Sequence, residues 1–397
     1  MGNHPAYEII IIGGGSAGLT VAARLKRENL KIGVAVIEPS SHHYYQPLWT
    51  LVGAGVYPKE VTQKWEADVM PKGVTWIQER AESFDAKANL VRTQQGKTYQ
   101  YDFLVVAAGI QLDWDKVVGL KEAVGTKGVC SIFDYRYVSS TWDAISHFKG
   151  GNAVFTFPNT PVKCAGAPQK IMYLAEHHFR KSGVRSQTHV TFVSASAGIF
   201  GVKKYADALT RVVHKRNINT RYKENLVEVR AASREAVFEN VATKERTITA
   251  YDLLHVTPPM SCPDFLKKSD LISEAGWVDV NKHTLQHAKY LNVFSLGDAS
   301  SLPTSKTAAA IRKQAPVLVS NLLKVRSGKP MIASYNGYTS CPLVTGYGSL
   351  ILAEFDYDGK PQETFPWDQG KERLSMYLLK KHLLPRLYWH GMLKGRA

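Results

Sequence analysis

The 397-residue chain carries 50 Lys and Arg against 34 Asp and Glu, a formal net charge of +16, and 44% of its residues are hydrophobic. That length supplies packed cores for two or three domains, and the positive balance favours an anionic partner: a lipid surface, a nucleic acid or an acidic substrate. No stretch approaches the roughly 18–20 consecutive apolar residues of a bilayer-spanning helix, and the four cysteines, Cys130, Cys164, Cys262 and Cys341, lack the C-x-x-C spacing of a zinc or thioredoxin-type site. No metal cluster is expected. Six residues precede the first predicted strand without an apolar signal or Arg-rich transit peptide, so a leader is expected to be absent or already removed.

Tyr7 to Ile12 reads as a buried strand, β-branched and too short for a helix. It enters Gly13-Gly14-Gly15-Ser16-Ala17-Gly18, a G-x-G-x-x-G order on Gly13, Gly15 and Gly18, after which Leu19, Ala22, Ala23 and Leu25 fall at helical spacing. In such a loop one glycine permits the tight turn, one lets the backbone approach a pyrophosphate and one allows helix–strand contact. The diphosphate then rests on unpaired N–H groups at the helix start. A second strand, Val34 to Ile37, ends in Glu38, twenty residues past Gly18, where a ribose hydroxyl would be bound.

The aromatic segment His42 to Trp49 is placed to cover an adenine or a flavin, or to pack as a surface loop. Gly73 to Tyr99 reads as short strands with polar turns, a hairpin excursion from the first domain. Tyr101 to Gly109 is a buried strand ending in small residues at Ala108-Gly109, and Asn292 to Asp298 is another, closing on Gly297-Asp298. These two resemble strand ends of flavoproteins with two dinucleotide-binding domains, in which the Asp holds the ribityl chain of FAD. Three motifs in that order imply FAD as the ligand of the first loop.

Between those strands lies the skeleton of a second nucleotide domain: a strand over Asn152–Phe157, a helix over Gln169–Lys181 and a strand over His189–Val193. The connecting loop contains Pro158, Pro161, Cys164, Gly166 and Pro168. Prolines remove donors and fix φ, and a single glycine remains, so this loop does not cradle a pyrophosphate in the usual way. No acid follows Val193-Ser194 before Asp207. Cys164 instead stands just before a helix start, where the helix dipole lowers a thiol pKa, with Lys163 and Lys170 adding positive charge.

At this point the sequence resembles the sulfide:quinone oxidoreductases, in the subtype that includes the mitochondrial enzymes. The resemblance spans nearly the whole chain and is carried by Thr156–Lys170, Gly201–Leu209, His255–Met260, Leu302–Thr307 and Gly337–Tyr347. It implies an α/β fold of two Rossmann-like domains: an FAD-binding domain at 1–112 and 285–345, a second domain at 113–284, and a quinone- and membrane-binding segment at 346–397. It implies FAD contacts from Gly13, Gly15, Ser16, Ala17, Gly18, Glu38, Gln46, Ala108, Gly109, Gly297, Asp298 and Lys306, the last near the flavin pyrimidine, where positive charge stabilises reduced flavin.

The same resemblance implies that Cys164 and Cys341 flank the flavin as a disulfide or sulfur-bridged pair. Sulfide attacks the pair, a persulfide remains on Cys341, and electrons pass from Cys164 to FAD and on to a membrane quinone. The persulfide sulfur leaves to an acceptor such as glutathione, sulfite or cyanide, or grows into polysulfide. Cys130 is a candidate third cysteine by analogy with bacterial relatives, and Cys262 is incidental.

Residues 371–397 set seven Lys or Arg against one Glu, interleaved with Leu, Tyr, Trp and Met. Pro385 is expected to split them into two short amphipathic helices, lying in a headgroup layer or packed on the protein. A quinone would enter there, with Tyr347, Phe355 and Tyr377 as candidate walls. The expected location is peripheral: the inner face of a bacterial cytoplasmic membrane, or the matrix face of the mitochondrial inner membrane. Alternatives are a type II NADH:quinone oxidoreductase, which needs an intact second glycine loop, and a non-catalytic flavin-binding membrane-surface protein. Nucleic-acid binding has no recognition motif behind the charge, and none of these motifs sets an oligomeric state.

Overall fold

The computed structural model describes residues 4–397. At its centre the strand Ala6–Ile12 pairs in parallel with Val34–Ile37 on one side, Ile9 opposite Val34, and with Thr98–Val106 on the other, Ile9 opposite Phe103. Ile9, Ile10 and Ile11 are fully buried. A run with no polar alternation is what a parallel sheet covered on both faces requires, and each such side chain contributes about 1.5–3 kcal/mol by burial. The helices Ser16–Glu28 and Ala308–Arg326 pack together beside this sheet. The Thr307 side chain caps the second of them by accepting the Ala310 N–H at 3.1 Å.

The long strand Thr98–Val106 divides its outer edge between two partners. Its first residues pair antiparallel with Leu90–Thr93, and its last, Leu104 to Val106, pair in parallel with Val293–Ser295. That second pairing brings the Gly297-Asp298 turn beside the glycine loop, with Gly297 against Ala17 although 280 positions separate them in sequence. The expected hairpin excursion is narrower than the sequence indicates. Val74–Ile77 extends the parallel sheet beside Val34–Ile37, and only Ala81–Asp85 with Leu90–Thr93 forms the hairpin.

The second unit is a five-stranded parallel sheet in the order Val129–Cys130, Leu253–His255, Gly151–Phe157, Thr188–Ser194, Asn219–Tyr222, joined to a three-stranded antiparallel sheet over 224–250. The helix Ala167–Lys181 covers it and also touches the hairpin Thr339–Gly346/Ser349–Phe355. The boundary expected between 345 and 346 therefore falls inside a hairpin. The third segment is continuous with Thr339.

From Leu374 to Lys394 the chain is one helical run, with π-helical turns at Leu379–Leu383 and Leu387–Gly391. Pro385 does not split it. The Lys381 carbonyl, four residues earlier and left without the N–H that proline lacks, accepts the Tyr57 hydroxyl at 3.0 Å. Leu374, Leu378 and Leu383 are 59%, 45% and 56% exposed, so they form an unpartnered apolar edge, whereas Tyr388, Trp389, Met392 and Leu393 are buried on the protein. Among the described residues no helix is long and apolar enough to cross a membrane.

Candidate active site

Cys164 and Cys341, 177 positions apart in sequence, are brought together with their sulfurs 4.0 Å apart. Cys164 sits in the loop after the strand Gly151–Phe157, with φ +57°, a left-handed conformation that costs a non-glycine residue on the order of 1–3 kcal/mol. Hydrogen bonds on both sides hold it there: its N–H donates to the Lys306 carbonyl and its own carbonyl accepts the Ala167 N–H, both at 2.8 Å. Cys341 lies mid-strand opposite Ala353, almost fully buried, whereas Cys164 is half-buried.

The single glycine kept in this loop has a steric role that the sequence does not announce. A Cβ on Gly166 would stand 2.3 Å from the Cys341 sulfur and 2.6 Å from a Leu343 methyl. Glycine makes room for the second sulfur where other loops use it to admit a phosphate.

The electrostatics of the two thiols diverge. Cys164 is held well below the usual thiol range, first by the hydrogen bond with Cys341 and then by the Lys170 ammonium, whose Nζ is 3.1 Å from its sulfur, against the opposing effect of burial. Cys341 is pushed well above that range by donating to Cys164 and by burial. Lys170, itself buried, is kept charged because the Cys164 thiolate beside it outweighs its desolvation. Lys163 does not share this duty, contrary to the sequence expectation. Its Nζ lies 5.2 Å from the Trp49 ring centre, and burial pulls its pKa down to about 8.

One further ammonium reaches the pair from the C-terminal run. Lys380 is buried, donates to the Pro47 carbonyl at 2.7 Å, and is brought down to about 7 by burial and by repulsion from Lys170, with both thiols opposing. Nothing in the sequence connects position 380 with position 164, and only the folded chain could reveal it. These fields predict a measurable asymmetry. In the reduced protein Cys164 should alkylate with iodoacetamide at neutral pH while Cys341 stays protected, and Lys170→Met should move the alkylation midpoint to higher pH, because the thiolate then loses its cation. An unchanged midpoint would remove Lys170 from this role.

Around the first loop the residues fit a dinucleotide. A Cβ on Gly13 would meet the Ala107 carbonyl oxygen at 2.5 Å and one on Gly18 the Gly13 oxygen at 1.8 Å, while one on Gly15 would meet nothing within 4 Å. Two glycines thus serve packing, and Gly15 presents open backbone to a ligand. Glu38 accepts the Gly14 and Ser40 N–H groups, both at 2.8 Å, and burial raises its carboxyl. The neighbouring Glu66 is buried with Oε1 unpartnered, an acceptor that a ribose hydroxyl would satisfy. Gly109 has φ +73° with open space at its Cβ position, next to partly buried Ala108.

Ala17 is buried at the helix start against Gly297. Gln46 is exposed at the start of a short 3₁₀ turn. Asp298 lies in the turn after Val293–Ser295, its carboxyl raised by desolvation against the pull of Lys306 and Lys163. Lys306 donates to the Asp298 and Ser300 carbonyls at 2.6 and 3.2 Å, lies 3.8 Å from the Trp277 ring centre, and is lowered to about 8 by burial. Its backbone carbonyl holding Cys164 is a second duty that its position in the motif does not disclose.

The remaining candidates separate. Cys130 is buried in the short edge strand of the second sheet beside Thr141, where desolvation pushes its thiol up to about 12. Cys262 is likewise buried, raised to about 11. Tyr347 and Tyr377 stand near one another, Tyr347 donating to the Ala54 carbonyl at 2.7 Å. Phe355 does not join them. It pairs with Thr339 at the opposite end of the hairpin from Tyr347, packs edge-on to Phe200, and lines a cavity of about 560 Å³ with Val162, Ala165, Trp277 and Lys306. In the aromatic segment Tyr45 packs at a tilt against Tyr388 of the C-terminal run, with ring centres 4.4 Å apart.

The sequence profile of the pyridine nucleotide-disulphide oxidoreductases matches residues 7–140. The mitochondrial sulfide:quinone oxidoreductase of Mus musculus is 51% identical over 394 residues, covering 99% of this chain and 87% of its own. The chain belongs to the sulfide:quinone oxidoreductase family. It is therefore an oxidoreductase with a Rossmann-type fold. The mitochondrial family member of Dictyostelium discoideum is 47% identical over 98% of this chain and 86% of its own length. The fold is shared with the solved sulfide:quinone oxidoreductase of Aquifex aeolicus, at TM-score 0.85 and 20% identity, covering 98% of this chain and 92% of that one.

Proposed function

We propose that this protein oxidises hydrogen sulfide at the Cys164–Cys341 pair and delivers the two electrons through FAD to a membrane quinone. The observation that carries the reading is the sulfur pair itself, 4.0 Å apart with a buried ammonium 3.1 Å from one member, in a loop that has lost its phosphate-binding form. A direct S–S bond is about 2.0 Å long, so the pair closes by side-chain rotation or across one bridging sulfur.

In the oxidised pair, hydrosulfide bonds to the Cys341 sulfur as the Cys341–Cys164 bond breaks. The electron pair of that bond leaves on Cys164 as thiolate, and Lys170 stabilises it. A low-pKa leaving thiolate speeds such an exchange. The depressed Cys164, with the Lys170 ammonium 3.1 Å from its sulfur, supports Cys164 as the leaving group and so Cys341 as the persulfide carrier. FAD, when bound, supplies the two-electron acceptor between Cys164 and the quinone. An acceptor thiol, sulfite or cyanide takes the outer sulfur of the persulfide, and the freed Cys341 thiolate re-forms the bond to Cys164, the two electrons released going to the acceptor that bound FAD would supply.

The cavity bordered by Val162, Ala165 and Lys306 supports entry of sulfide and acceptor from the second domain's side. Tyr347, Tyr377 and the exposed Leu374, Leu378 and Leu383 support quinone entry from a lipid surface on the other. The names of the mitochondrial relatives support a mitochondrial enzyme, and the exposed leucines support a peripheral place on a membrane, which in this reading is the matrix face of the inner membrane. The rival reading as an NADH:quinone oxidoreductase has no comparable support, because the space beside Gly166 is taken by the Cys341 sulfur. Mass spectrometry of the purified protein should find FAD and a Cys164–Cys341 peptide joined by one or two added bonds through sulfur; a flavin-free protein with both thiols permanently free would refute the reading.

A further inference from the structure

The end of the C-terminal run behaves differently from the apolar edge that precedes it. Residues 392–397 lie directly on the glycine-loop helix Ser16–Glu28: Leu393 is fully buried, and the Arg24 guanidinium donates to the Ala397 carbonyl. Gly395, at φ +66°, approaches so closely that a Cβ there would stand 2.9 Å from the Ala23 carbonyl carbon and the Arg24 nitrogen.

A buried hydrogen-bond chain then joins this tail to the loop itself. His43 Nδ1 faces two acceptors, the Gly14 carbonyl at 3.1 Å and Glu66 Oε2 at 3.2 Å. In the neutral ring the proton is assigned to Nδ1, so Nε2 accepts the Tyr388 hydroxyl at 2.5 Å, and the Tyr388 oxygen accepts the Ser16 hydroxyl at 2.7 Å. Two residues of the glycine loop, Gly14 and Ser16, are thereby tied to one tyrosine more than 370 positions away. The second oxygen of Glu66 remains buried without a partner, within 2.4 Å of where a Gly14 Cβ would stand, so the network carries an unfilled acceptor at the loop.

We propose that residues 387–397 are part of the dinucleotide site, with Tyr388 positioning Ser16 at the helix start, so that the docked tail and bound FAD stabilise one another. The proposal rests on the assignment of the Gly13–Gly18 loop to FAD. The tail cannot undock without exposing Tyr388, His43 and Glu66 and releasing the loop. By reciprocity of linkage, a ligand that fixes the loop must then hold the tail by the same factor. The last eleven residues act as a lock on the cofactor, and contact with lipid falls to the stretch before them.

The test measures FAD release from the loaded protein and hydrogen exchange of residues 387–397 with and without FAD. Tyr388→Phe and Ser16→Ala should each weaken FAD binding by roughly two- to twelve-fold, the range for one hydrogen bond. The double variant should lose less than the two single losses combined, since both singles remove the Ser16–Tyr388 contact and Tyr388→Phe also removes the one to His43. FAD should slow exchange in the tail. A chain ending at residue 386 should lose FAD altogether, and should it fail to fold, the point variants and the exchange experiment still decide. FAD affinity within two-fold of wild type in both point variants, with tail exchange indifferent to FAD, would overturn the proposal. A wild-type chain that takes up no FAD would overturn the dinucleotide assignment, and the proposal with it.

Discussion

Replacing Gly166 with alanine is expected to cut sulfide-dependent flavin reduction by at least about 10²-fold while leaving the flavin bound, because misplacing a reacting group by an ångström has a cost of that order. The added methyl would stand 2.3 Å from the Cys341 sulfur and 2.6 Å from Leu343. Neither neighbour can retreat freely, since Cys341 and Leu343 are both buried in the same strand, Thr339–Gly346, backed by Ser349–Phe355. Overpacking of this kind costs about 1–3 kcal/mol, which a domain of this size survives. Rapid mixing with sulfide, read by flavin absorbance, gives the number, and a rate within two-fold of wild type would mean that the 4.0 Å sulfur pair is incidental to turnover.

Cys164→Ser and Cys341→Ser are each expected to reduce sulfide-dependent quinone reduction on the order of 10³-fold or more, with neither variant rescuing part of the other's function. The two should fail differently. Without Cys341 no persulfide forms. Without Cys164 the electron pair lacks its low-pKa leaving group, although Lys170 keeps its place in the helix Ala167–Lys181. Single-turnover kinetics beside persulfide trapping separate the cases, and wild-type turnover in either serine variant would remove the cysteine pair from the mechanism.

The sequence made the scaffold legible because its parallel strands write their burial directly: Ile9 to Ile12, Val34 to Ile37 and Phe103 to Ala108 are apolar runs closed by glycine or acid. The glycine loop was readable for the same local reason. Cys164 stands out in the sequence because prolines and a cysteine occupy positions where glycines belong, yet only the family resemblance links it to Cys341, since 177 residues separate them. Gly166 showed as the last glycine of a degraded motif, and its purpose emerged only when the hairpin laid Cys341 against it.

Other features were invisible for physical reasons. Lys163 and Lys170 look equivalent in sequence, but Lys170 stands one helical turn past Gly166 and points back at the thiolate, while Lys163 is turned toward Trp49. Pro385 signals a helix end, and the Tyr57 hydroxyl that satisfies the orphaned Lys381 carbonyl comes from the opposite end of the chain. Tyr347 and Phe355, both expected among the quinone walls, fall at opposite ends of a hairpin because Tyr347 sits in its turn and Phe355 pairs with Thr339 at the far end.

The most direct test is to mix the oxidised, FAD-loaded protein anaerobically with sulfide and, separately, with NADH. The account predicts rapid bleaching of the flavin by sulfide and none by NADH, with colour returning on addition of a quinone. Rapid bleaching by NADH with no response to sulfide would contradict it.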